Sequence, residues 1–182
     1  LFFNHGLHYL LNWKNYDVIL FLIVLYVAYD FSAWKKLLIL IGLFTLGHAV
    51  SLLLGIYDVV SVSRSVILFL IPIAILITAL INIFTAGKKK KSEKSGVFYV
   101  IAAFFGLIHG FVSSFGVLNP SNELLPLFVF ELCVASGQLI VIIILFILGF
   151  IFQSIFRINK RDWFLVVSSI VVGLIIQLFF TN

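Results

Sequence analysis

Polar residues punctuate this chain at wide intervals, and the stretches between them are almost continuously apolar. Such runs lie at Asp17–Phe31, Lys36–Tyr57, Val62–Ala86, Gly96–Leu118, Glu123–Phe152 and Asp162–Phe180. The last five are each long enough to cross a hydrocarbon core as a helix, which takes about 20 residues. The first covers only about 22 Å of a core ~30 Å thick. It is therefore expected to begin nearer Trp13, or to be helped by the amphipathic stretch Leu1–Leu11. Membrane-spanning strands would show alternation over ~10-residue segments instead. The pattern predicts an all-α polytopic bundle of six transmembrane helices, preceded by a short outer amphipathic segment.

Composition narrows this further. The chain is 63% hydrophobic and 10% charged, with a mean hydropathy of +1.26. A soluble domain is about a quarter charged, so a water-soluble globule is excluded, and disorder needs a polar, aromatic-poor chain. Six spans absorb nearly all of residues 1–182, which reads as a single integral membrane domain. The net charge of +5 does not point to nucleic acid, because its distribution is a topology signal. Alternate connections carry Lys35 and Lys36, then Lys88, Lys89, Lys90, Lys91 and Lys94, then Arg157, Lys160 and Arg161, ten of the twelve basic residues. The opposite side has only Lys14 and Arg64. Those loops are expected in the cytoplasm and both termini outside, in the inner (cytoplasmic) membrane of a bacterium. The run Gly87–Ser95 reads as a solvated loop, with anionic lipid or a partner as its alternative contact. Trp13, Trp34 and Trp163 fall at span ends and read as interfacial anchors. Cys133 is the only cysteine and forms no internal disulfide.

Titratable groups inside spans are costly and are functional candidates by default. His48 lies nine residues from Tyr57, His109 nine from Leu118, and Glu131 eight from Glu123. At ~1.5 Å per residue, three helices present a titratable group about 12–14 Å below the outer surface. Asp17 stands higher, at the outer rim of the first span, and His5 and His8 precede it. His109 and Ser113 share a face at i,i+4, Thr45 and His48 at i,i+3, and Glu131, Ala135 and Gln138 form one stripe. Gly106 and Gly110 flank His109 and Gly47 precedes His48, so the backbones there can approach closely. Imidazole and carboxylate suit Ni, Co, Zn or Fe, and imidazole also shuttles protons. The competing reading is that each group merely bonds a neighbouring helix. No H-E-x-x-H, G-x-S-x-G, Cys pair or Walker loop is present, so no enzyme is expected. Ser51, Ser113 and Ser114 are expected to bond back onto their own helices. Pro72 predicts a kink, and Asn82 is placed to cap, pair or gate.

Several segments together resemble one family. Gly6-Leu-His8-Tyr-Leu with Tyr16-Asp17-Val18-Ile-Leu-Phe, Phe44-Thr-Leu-Gly47-His48-Ala-Val-Ser51-Leu and Thr78-Ala-Leu-Ile-Asn82 are similar to successive elements of the hydrogenase/urease accessory membrane proteins, the HupE/UreJ-like family. Phe105-Gly106-Leu-Ile-His109-Gly110-Phe resembles its fourth-span element, and Phe130-Glu131-Leu-Cys-Val-Ala135-Ser-Gly137-Gln138-Leu its fifth. Two positions depart from the pattern. Val18 stands where a histidine is expected, and Glu131 and Ala135 stand where an asparagine and then a glutamate are expected. The resemblance implies divalent-metal handling, with nickel or cobalt ahead of zinc as the bound or transported ion. The metal-site residues are then His48, His109, Glu131, Asp17 and His8. A permease is one reading, with the lipid bilayer and a homo-oligomer or other membrane subunits as partners. The alternative is a non-transporting subunit or assembly factor that binds another membrane protein or lipid.

Overall fold

The computed structural model describes residues 16–27, 29, 31–87, 91–115 and 124–181. Six α-helices run in chain order: α1 Tyr16–Tyr26, α2 Trp34–Ile56, α3 Arg64–Thr85, α4 Lys91–Ser114, α5 Leu124–Phe150 and α6 Lys160–Thr181. Among the described residues, four helices are long and apolar enough to cross a membrane, and α1 is a shorter apolar helix. The protein is an all-α membrane bundle. Leu46, Phe69, Val100, Ile143 and Ile170, one from each of α2 to α6, are all exposed on the outside of the bundle. Helices in lipid bond their own backbones, which leaves such side chains free to meet acyl chains.

Helix α1 is hydrophobic all round and sits in the interior, as such a helix must. Its Phe21, Leu22, Val24 and Leu25 are at most 1% exposed. It packs on α3, α5 and α6, and Phe21 stacks on Phe105 of α4 with ring centroids 3.7 Å apart. The apolar run predicts helix to Phe31, but α1 stops at Tyr26 after 11 residues. A bond from the Tyr29 N–H to the Tyr26 carbonyl tightens the exit, and the 3-10 turn Phe31–Ala33 leads into α2. Asn82 of α3 supports the early stop, its amide donating to the Val24 carbonyl at 2.5 Å. That carbonyl is one of the last four of α1, which no residue of the helix itself can satisfy.

Helices α2 and α4 form the most extensive pair. A Cβ on Gly106 would run into the Phe44 backbone, and one on Gly110 into the His48 carbonyl and the Ser51 hydroxyl. Helix α5 lies against α1 and α2, and α6 against α3 and α1. Two boundaries differ from the pattern of apolar runs. Lys91–Ser95, expected in the loop, form the first turn of α4. The fifth run ends in a π-helical turn, Ile151–Ile155, before the chain reverses. Helix α3 continues through Pro72, which is buried within it.

Candidate functional site

The polar core is assembled from four helices around two imidazoles. His48 of α2 is fully buried and His109 of α4 is 1% exposed. Their rings lie nearly parallel, 24° apart, with centroids 6.2 Å from each other. Each stands one turn above a phenylalanine of its own helix, Phe44 below His48 at 5.8 Å and Phe105 below His109 at 5.6 Å. This i,i+4 repeat on two helices sets an aromatic floor under the imidazoles, with Phe21 stacked against Phe105. The glycines Gly106 and Gly110 let the α2 and α4 backbones close at this level.

Each imidazole faces one carboxylate. His48 Nδ1 lies 2.7 Å from Glu131 Oε1 of α5, and His109 Nε2 lies 3.4 Å from Asp17 Oδ2 of α1. Asp17 is held by its own helix, its Oδ1 accepting the Val18 N–H at 2.9 Å, a favourable place for a negative charge in a first turn. Four of the five candidate metal-site residues, His48, His109, Glu131 and Asp17, therefore meet in one region as two His–carboxylate pairs. The fifth, His8, lies outside the described residues. Among the described residues no three His, Cys, Asp or Glu side chains form one group able to hold a metal ion.

Ser113, placed on the polar face by its spacing, also reaches His48, a contact that the sequence does not show. Its Oγ lies 2.9 Å from His48 Nε2 and donates to the His109 carbonyl at 3.2 Å. The i,i+4 spacing to His109 places Ser113 on the polar face, but nothing local identifies His48, 65 positions away, as its partner. Ser51, Ser113 and Ser114 all bond back to their own helices, as expected. Ser113, His48 and Glu131 have the connectivity of a nucleophilic triad. A triad also requires N–H donors aimed at a developing oxyanion, whereas the N–H groups within α4 are engaged in helix bonds. Ser113 is better described as a latch on His48 Nε2.

Two further polar groups extend the core. Glu131 Oε2 has no hydrogen-bond partner among the described residues, and neither has the amide of Gln138, two turns along α5. Gln138 is fully buried.

These features define a class: a small multi-pass α-helical membrane protein whose core is built on paired imidazoles and carboxylates. The chain belongs to the HupE/UreJ family, whose model, described as HupE / UreJ protein, matches residues 1–182. It is thereby a membrane protein of a metal-related accessory family. No curated protein and no solved structure matches it.

Proposed function

We propose that this protein is a divalent-metal permease, with nickel or cobalt as its substrate, that receives the ion at the end of the bundle opposite the basic loops. The supporting observation is the pair of buried imidazoles 6.2 Å apart, each facing a carboxylate. A carboxylate on one imidazole nitrogen orients the ring and raises the basicity of the other nitrogen as a ligand. Glu131 does this for His48 through Nδ1, which makes Nε2 the ligand atom. Ser113 covers that atom at 2.9 Å and has a second acceptor to turn to, the His109 carbonyl. An incoming ion would displace the hydroxyl, take His48 Nε2, and draw His109 and the charge of Asp17 toward it. Val18 leaves α1 with only Asp17 at this level, and Glu131 serves on α5 where Ala135 offers no ligand. The proposed setting is the cytoplasmic membrane of a bacterium, with both termini outside and the permease working as a homo-oligomer. Six helices, one of them short, leave little material for alternating access in a single copy.

One observation favours a second reading, a non-transporting subunit or assembly factor. No three ligating side chains among the described residues form one metal-binding group, and the His48–Glu131 bond ties α2 to α5 without any ion.

Cellular accumulation of nickel, cobalt and zinc separates the two. Cells expressing the wild type should accumulate nickel or cobalt above empty cells, and His48→Ala or His109→Ala should abolish the excess at matched protein levels. Wild-type uptake equal to that of empty cells for every ion removes the permease reading. Altered stability or partner capture in the same variants then supports the scaffold.

A further inference from the structure

From the imidazole pairs toward the basic loops, α5 carries one continuous buried stripe. Glu131, Val134, Gln138 and Ile142 are buried along it. It runs on to Leu145 and Gly149, which line a cavity of about 440 Å³ enclosed by α1, α5 and α6 at the basic end. Gln138 stands midway, seven residues from Glu131 and seven from Leu145. That is about 10 Å along the helix in each direction. Between Glu131 and Gln138 the stripe holds Ala135, which contributes only a methyl group.

Packing does not explain the amide of Gln138. The side chain is fully buried, yet neither its nitrogen nor its oxygen has a hydrogen-bond partner among the described residues. A leucine would fill similar space without the cost of an unpaired amide. A buried polar group without a protein partner is a place for bound water or an ion.

The facing helix supplies a second such group. Helix hydroxyls commonly bond back to a carbonyl one turn earlier, as Ser51, Thr78, Thr85 and Ser113 do. Thr45 Oγ1 is buried and has no partner among the described residues. Thr45 lies three residues from His48, on its basic side. It is about 160° around α2 from Gly47, where a Cβ would meet the Ala103 carbonyl of α4. It therefore turns away from α4, toward the flank on which α5 packs.

These oxygens lack donors, and water bound to a metal ion is a strong donor. Such neutral groups also hold a first-row divalent ion less tightly than imidazole does, and a conducting path needs sites that the ion can leave. We propose that Gln138 and Thr45 form a second, weaker station for the divalent cargo, between the imidazole pairs and the cavity. The ion reaches it from His48 carrying water, which donates to Gln138 Oε1 and Thr45 Oγ1. This station rests on the permease reading and adds to it a direction of travel along α5.

Gln138→Leu and Thr45→Val test the station against wild type. The initial rate of nickel and cobalt uptake is measured in cells at matched protein levels. Nickel affinity and thermal unfolding are measured on the purified protein. Gln138→Leu should slow uptake about tenfold, the equivalent of ~1.4 kcal/mol, and Thr45→Val should slow it several-fold. Nickel affinity should stay unchanged in both, because the imidazole pairs are intact. The unfolding temperature of Gln138→Leu should be equal to that of the wild type or higher, because no protein contact of the amide is lost. Undiminished uptake in either variant overturns the station and leaves the permease reading standing. A lowered unfolding temperature or a weakened nickel affinity in Gln138→Leu overturns it too, since the amide would then serve the fold or the imidazole site. Wild-type uptake no greater than that of empty cells removes the permease reading and the station together.

Discussion

Ser113 has one hydroxyl proton and two acceptors within reach, His48 Nε2 at 2.9 Å and the His109 carbonyl at 3.2 Å. Removing the hydroxyl uncovers Nε2 without disturbing the helix, whose own ladder already uses the carbonyl. Ser113→Ala leaves the buried His48 Nε2 without that hydroxyl and should cost about 1–3 kcal/mol. It should also tighten binding of nickel to the purified protein, measured by titration calorimetry. Unchanged or weaker binding with the fold intact would mean that Ser113 does not cover a ligand atom. Glu131 is tested by contrast. Glu131→Ala leaves His48 Nδ1 buried without its acceptor and should cost about 1–3 kcal/mol, whereas Glu131→Gln keeps an acceptor in place and should lose less. Thermal unfolding in detergent reads both, and equal losses would show that the side chain matters there for charge or volume rather than for the bond.

At the scale of the helix, the close fit of α2 on α4 rests on atoms that glycine lacks. Any Cβ at Gly106 meets the Phe44 backbone, which cannot turn aside as a side chain can, while a Cβ at Gly42 meets nothing within 4 Å. Overpacking of this kind costs about 1–3 kcal/mol. Gly106→Ala should therefore lower the unfolding temperature in detergent and Gly42→Ala should leave it unchanged or raise it. A neutral Gly106→Ala would contradict the close backbone approach that brings His48 to His109. Asn82 acts between elements, since its amide caps α1 from 58 positions away. The length of α1 was thus not legible in its own apolar run, because a donor to one of its last carbonyls, that of Val24, comes from another helix.

At the scale of the whole molecule, the charge asymmetry predicts the orientation. Ten of twelve basic residues lie on three connections at one end, and such loops resist translocation. In a background with Cys133→Ala, which removes the only cysteine, a Ser92→Cys variant should not react with a membrane-impermeant maleimide added to intact cells. It should react after the cells are opened. Ready labelling from outside would invert the topology and place the imidazole pairs in the inner half of the membrane.

Much of this protein was decided by sequence alone. Apolar runs of about span length leave the chain no option but helices in lipid, since every backbone polar group there must be bonded internally. The six helices, the intramembrane placement of His48, His109 and Glu131, and the glycines beside them all follow from such local rules. Tertiary structure decided the pairing. Which carboxylate meets which imidazole depends on how α1 and α5 rotate against the α2–α4 pair. That rotation is set by the packing of Phe21, Phe44 and Phe105 and by backbone contact at glycine, neither of which has a period in sequence. For the same reason Ser113 could be placed on the polar face but not on His48 Nε2. The cavity at the basic end was hidden altogether, because its wall is shared by α1, α5 and α6, and residues from Ile23 to Val167 become neighbours only when the chain is folded.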